Sequence, residues 1–185
     1  MPGWAVTGVK RKVEIKTLIL ITGAVGIGKS TVCQRLVMLW RERGGVPGGV
    51  LTRTAGRERS IVDVVTGEER LLAAEGVELA GPRWGRFSFS QETLDWGNEV
   101  MRQAVAGPAD LVLLDEVGPL ELAAGSGFLP ALKILLGSKK AGLVVVRPAL
   151  LEQVRAMGSG HTVRVYEVTL ENRAGLPEQI MKREA

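Results

Sequence analysis

Leu18-Ile19-Leu20-Ile21-Thr22-Gly23-Ala24-Val25-Gly26-Ile27-Gly28-Lys29-Ser30-Thr31 is the stretch on which the reading of this chain turns. Its first five residues form a short, continuous apolar run, as expected of a strand buried on both faces. Gly23 to Ser30 then fits glycine, four residues, Gly-Lys-Ser, the pattern of a loop that cradles phosphates. Glycines let the backbone curl so that successive N–H groups point at phosphate oxygens, where a side chain would block the approach. Lys29 is placed to reach the β- and γ-phosphates, and the Ser30 hydroxyl to ligate magnesium. Gly23, Ala24, Val25, Gly26, Ile27, Gly28, Lys29, Ser30 and Thr31 are thus the expected nucleotide-binding residues of this loop. Beyond it Val32, Leu36, Leu39 and Trp40 recur on one helical face, and Gly44-Gly45 supplies a helix stop. A helix beginning near Gly28 aims its positive end at the same phosphates. Chance alone gives such a loop in roughly one Gly-rich chain in a hundred. The flanking strand and helix make chance less probable still.

A second acidic site follows at Leu111-Val112-Leu113-Leu114-Asp115-Glu116-Val117-Gly118, an apolar strand ending in two carboxylates. The whole run is expected to contribute to nucleotide binding. Asp115 is the expected magnesium ligand opposite Ser30, and Glu116, with Lys29, the expected catalytic residue, orienting a water toward the γ-phosphate. Strand alternation predicts that the two carboxylates diverge unless the strand is ending there, one facing the metal and the other the water. Asp115-Glu116-Val117-Gly118 also matches a short guanine-switch pattern, but no Asn-Lys-x-Asp segment accompanies it, which disfavours a guanine-specific switch. Arg53, Arg57 and Arg59 are candidates for a positive group near the γ-phosphate. Trp84 and Arg86, either side of Gly85, could meet a base or sugar, although Trp84 covering core is the simpler reading. His161 has no neighbouring His or Cys cluster, so it predicts no metal site.

Similar apolar runs at Leu111 to Leu114, Leu143 to Val146 and Val163 to Val168 alternate with helical patterns. One helix carries Leu94, Met101 and Val105 with Ser90 as its N-cap. Others carry Phe128, Leu132, Leu135 and Leu136; Leu151 and Val154; and Leu176 and Ile180. This order predicts an α/β three-layer sandwich with a mainly parallel sheet. Val50 to Phe89 breaks the rhythm, with short strands at Val50 to Thr52, Ile61 to Val65 and Arg70 to Leu72 and a turn at Thr66-Gly67. These predict appended antiparallel strands. Residues 17–185 read as one P-loop NTPase domain and residues 1–16 as an N-terminal extension.

Among 185 residues, 24 Lys and Arg face 20 Asp and Glu, a net charge of +4 without a long basic run. That mild excess suits an anionic ligand and makes a nucleic-acid partner unlikely. One cysteine, Cys33, no secretory leader and no membrane-length apolar segment predict a cytoplasmic protein. No protein partner is legible.

The chain resembles the THEP-type nucleoside-triphosphatases, P-loop proteins related to nucleotide kinases, from about Thr17 to Met181. The resemblance rests on Gly23 to Ser30, on Leu113 to Leu122 with its Asp-Glu-x-Gly-x-x-Glu-Leu run, and on Val165 to Arg173. Ser60 to Gly67 and Gly85-Arg86-Phe87 add to it. It implies a RecA-like α/β fold and Mg-dependent hydrolysis of several nucleoside triphosphates. Asn172-Arg173 matches the family pattern. The chain departs from it in the segment before Thr17 and at Arg53, where an acidic residue is usual. A nucleotide or small-molecule kinase and a nucleotide-dependent regulatory module are the alternative functions. Of the arginines a kinase lid needs, Ser138 to Gly160 offers only Arg147 and Arg155.

Overall fold

The computed structural model describes residues 16–184, so the expected N-terminal extension lies outside the described residues except for Lys16. Strand β1 (Thr17–Thr22) leads through the Gly-rich loop into helix α1 (Lys29–Glu42). β2 (Pro47–Ala55), β3 (Glu58–Asp63), β4 (Glu69–Glu75), β5 (Arg83–Trp84) and β6 (Phe87–Phe89) follow without an intervening helix. Then come α2 (Gln91–Ala106), β7 (Leu111–Val117), the short α3 (Pro119–Leu122), α4 (Leu129–Gly137) and β8 (Ala141–Val146). α5 (Leu151–Met157), β9 (Thr162–Glu167) and α6 (Leu176–Glu184) complete the described chain.

All described strands join one sheet in the order β5-β6-β4-β3-β2-β7-β8-β1-β9. β2, β7, β8, β1 and β9 are parallel, and the RecA-like arrangement places β8 between the loop-bearing β1 and the acidic β7. The continuous apolar runs are explained by alternation. Leu18 and Leu20 of β1, with Val112 and Leu114 of β7, pack on the face covered by α2, α4 and α5. Ile19 and Ile21, with Leu111 and Leu113, pack on the face covered by α1 and α6. A strand buried on both faces has no position left for a polar residue until it reaches its end. The three layers expected from the sequence follow.

Several details differ from expectation, among them two added short strands, β5 and β6. β2 is not merely appended: Pro47 to Val50 pair in parallel with Leu111 to Leu114, and only Val50 to Ala55 pair antiparallel with β3. β3 stops at Asp63, because that carboxylate accepts the Val65 N–H at 2.8 Å and the Thr66 hydroxyl at 2.7 Å and folds both residues into the turn. On α1 the buried positions are Val32, Cys33, Leu36 and Val37. Trp40 sits at the rim of that core and donates its indole N–H to Asp110 at 2.6 Å. Ser90 caps α2 as read, accepting the Thr93 N–H at 3.2 Å.

Candidate active site

The loop between β1 and α1 is held from behind by β9. Val168 donates its N–H to the Thr22 carbonyl at 2.9 Å. Gly23 has φ 139°, and a Cβ there would lie 2.7 Å from the Val168 carbonyl oxygen, so both conformation and space demand glycine. Gly28, also left-handed, is the N-cap of α1. The loop opens into a cleft of about 650 Å³, a size ordinary for a small-ligand site. Lys29 donates to the carbonyls of Gly23 at 2.9 Å and Ala24 at 2.7 Å. Burial lowers its pKa below the usual lysine value, while Asp115 and Glu116 oppose that shift.

Asp115 lies across the cleft from the loop, 2 % exposed. Burial pushes its carboxyl up to about 6, against the opposing pull of the Thr52 N–H and the Ser30 hydroxyl. Thr52 braces it twice: its N–H donates to Asp115 Oδ2 at 3.0 Å, and its hydroxyl donates to the Asp115 carbonyl at 2.7 Å. Thr52 was legible only as a strand residue, since its contact with Asp115 spans 63 positions of sequence.

The two carboxylates meet different partners, Asp115 the Thr52 N–H and Glu116 two arginines, yet both line one cleft. Glu116 has φ 93°, the one positive φ among described non-glycine residues, and the register of β7 against β8 shifts between Leu114 and Val117. This bulge breaks strand alternation, and Asp115 and Glu116 line the same cleft. A non-glycine residue held there costs about 1–3 kcal/mol, the kind of strain that collects at functional sites. Glu116 accepts from Arg59 at 2.5 Å and from Arg147 at 3.5 Å. Of the three arginines singled out in the sequence, Arg59 reaches Glu116, Arg53 lines the cleft paired to Glu69 at 2.6 Å, and Arg57 stands exposed in the β2–β3 turn. Arg147, weighed only as a lid residue, sits in the cleft because β8 ends beside the bulge.

Other readings fall outside the cleft. Leu111, Val112, Leu113 and Leu114 are at most 1 % exposed and face the two cores, so they support Asp115 from below rather than meet a ligand. Ile27 packs against the α1 core, and Gly118 borders a small cavity of about 40 Å³ that adjoins the cleft and shares Arg59, Glu116 and Arg147 with it. Trp84, 38 % exposed, borders that cavity too, while Arg86 pairs with Glu75 at 3.3 Å. Cys33 is fully buried, and burial raises its thiol well above the usual value, so it packs rather than reacts. Glu121 went unread in the sequence as a loop brace; it accepts the Gly118 N–H at 2.8 Å and the Phe128 N–H at 3.1 Å, fixing the turn after β7. Asn172 similarly fixes the loop after β9, accepting the Thr169 N–H at 2.9 Å and donating to the Glu167 carbonyl at 2.8 Å.

A phosphate loop after the first strand, faced by a buried carboxylate on a strand two places away, defines a P-loop nucleoside-triphosphate-binding protein. The family model described as NTPase matches residues 18–181. The nucleoside-triphosphatase THEP1 of Thermofilum pendens is 36% identical over 171 residues, covering 88% of this chain and 92% of the relative. That of Methanopyrus kandleri is 33% identical over 173 residues, covering 89% and 93%. Among solved structures, THEP1 from Aquifex aeolicus superposes with a TM-score of 0.71 at 17% identity, covering 90% of this chain and 98% of that one. A human cancer-related nucleoside triphosphatase gives 0.71 at 22% identity, covering 90% and 96%. The chain belongs to the NTPase family.

Proposed function

We propose that this chain hydrolyses nucleoside triphosphates, with magnesium, to the diphosphate and phosphate. The observation that carries the reading is the bulge that turns Asp115 and Glu116 into one cleft with Lys29 and Ser30. Described residues contain no cluster of three or more His, Cys, Asp or Glu able to hold a metal alone. The donor set that is present, one hydroxyl and one buried carboxylate, suits magnesium, which takes few protein ligands and completes its shell with water and phosphate oxygens. Ser30 and Asp115 would hold it, and there it would neutralise charge on the β- and γ-phosphates.

The chain's own groups supply the rest. Backbone N–H groups of the loop and the Lys29 ammonium bind the phosphates. Glu116 orients a water and takes its proton as the water oxygen bonds to the γ-phosphorus and the bond to the β,γ-bridging oxygen breaks. The leaving diphosphate carries that electron pair. Transfer to water rather than to a second substrate is favoured by Glu116 itself; of the two arginines from Ser138 to Gly160, Arg155 pairs with Glu152 on the exposed side of α5 and Arg147 pairs with Glu116. No described helix is long and apolar enough to cross a membrane.

Glu116→Gln tests the assignment. It keeps the side-chain size and removes the basic oxygen. Mg–ATP should bind within a few-fold of wild type while phosphate release falls on the order of a hundredfold or more. Hydrolysis at the wild-type rate would place water activation elsewhere.

A further inference from the structure

One carboxylate oxygen shared by two guanidiniums has little room left for a water, and that is how the fold holds Glu116. Arg59 donates to Glu116 Oε1 at 2.5 Å and Arg147 to the same oxygen at 3.5 Å. The arrangement is built rather than incidental. Arg59 projects from β3, only 16 % of its side chain exposed, and its guanidinium lies 4.3 Å from the ring centre of Phe87 on β6. Arg147 follows β8, on the opposite side of β7 from β2 and β3. Two elements on either side of the bulge therefore converge on one oxygen, and all three side chains line the phosphate cleft. Lys29 shares their field, since Glu116 and Arg147 both perturb its ammonium.

We propose that Arg59 and Arg147 form a terminal-phosphate subsite, and that filling it releases Glu116 to act on water. The inference rests on the hydrolytic reading above and names what that reading leaves open: how the cleft tells a triphosphate from its product. The exchange follows from charge and shape. Glu116 offers one negative charge. A terminal phosphate offers about two, on three acceptor oxygens, and a guanidinium fork matches it in two parallel hydrogen bonds. A triphosphate anchored by the loop thus outcompetes Glu116 for the arginines, and the same step that supplies the substrate's reacting end frees Glu116 Oε1 to meet a water. A diphosphate occupies the loop without that third group, so Glu116 returns to the arginines. No bond is made or broken in the exchange; two ion pairs are traded for two others.

The antiparallel strands gain a role from this. β3 and β6 carry Arg59 and the ring that steadies it, so the insertion between β2 and α2 is what equips the site to read a terminal phosphate.

Calorimetry with Mg–ADP and with the magnesium complex of a non-hydrolysable β,γ-imido triphosphate tests the proposal on wild type, Arg59→Ala and Arg59→Lys. Arg59→Ala should weaken the triphosphate analogue by about tenfold or more while ADP affinity stays within about twofold. Phosphate release from ATP should fall at least about a hundredfold, as expected for losing an arginine that stabilises transferring phosphate. Arg59→Lys keeps charge without the fork, and should recover part of both losses. Because Arg59 also rests on Phe87, equal weakening of both nucleotides would mark a merely structural role and overturn the proposal, as would unchanged turnover in Arg59→Ala. If wild type releases no phosphate, hydrolysis is refuted; the comparison of the two nucleotides then still decides whether the subsite exists.

Discussion

Asp115 is where the site most visibly works against the fold. A carboxylate 2 % exposed, with its pKa raised to about 6 by burial, is an anion that the folded chain has partly stripped of water. Thr52 and Ser30 return some of that loss, and a cation bound beside it would return more. Asp115→Asn keeps an oxygen to accept the Thr52 N–H and presents an amide N–H toward the Ser30 hydroxyl. Without metal or nucleotide at neutral pH, the variant should therefore be more stable than wild type by on the order of 1–2 kcal/mol, a rise in Tm of roughly 2–6 °C. The same variant should lose the magnesium dependence of ATP binding. A thermal melt in chelator showing an unchanged or lowered Tm would mean that the buried charge is already compensated within the protein. Glu116 makes the complementary point: its φ of 93° is held where a glycine would be unstrained, and the carboxylate held there meets Arg59 and Arg147.

At the scale of elements, β2 is the hinge of the architecture. Its first half extends the parallel sheet along β7, and its second half starts the antiparallel hairpins, so one strand ties Asp115 to Arg59. Gly49 makes the change of partner possible. It has φ 100°, and a Cβ on it would lie 2.1 Å from the Leu113 carbonyl oxygen and 2.8 Å from the Leu113 nitrogen. Neither neighbour is a side chain that could yield. Gly49→Ala should destabilise by about 3 kcal/mol or more, combining left-handed strain with displaced ladder pairing, or prevent folding altogether. Gly137→Ala, at the end of α4 with open space at its Cβ, is the control and should change stability by less than about 1 kcal/mol. Urea denaturation of the two variants reads the contrast, and equal midpoints would show that β2 can leave β7 without cost.

At the scale of the molecule, the two cores lock β1, β7 and β8 from both sides and leave only their ends free for chemistry, while β9 is a largely exposed edge strand and not the doubly buried strand its apolar run predicts. The cleft at those ends is lined by groups suited to phosphate: the loop, Lys29, Arg59, Arg147 and the two carboxylates. Of the other lining side chains, Arg53 and Glu69 are spent on each other and Gln34 alone is too little to select one base. ATP and GTP should therefore be hydrolysed at comparable rates, with differences within about tenfold. Steady-state phosphate release from both nucleotides measures this, and a preference of about a thousandfold would reveal a base pocket outside the cleft described.

The sequence by itself determined what depends on neighbours in the chain. Leu18 to Thr22 followed by Gly23 to Ser30 specified strand, loop and helix, because backbone curl, glycine content and helix start are all local. Leu111 to Glu116 likewise announced a buried strand with acids at its end. The tertiary structure decided what depends on strands meeting across long separations. Asp115 and Glu116 share a cleft because β7 bulges against β8, a misfit of pairing that alternation within β7 cannot foresee. Thr52 braces Asp115 across 63 positions and Arg59 holds Glu116 across 57, both through the lateral order of β3, β2 and β7. Arginines at Arg53, Arg57 and Arg59 look alike along the chain. Only the direction each takes from the hairpin selects Arg59, because a side chain's partner is set by the surface it faces and not by the residues beside it.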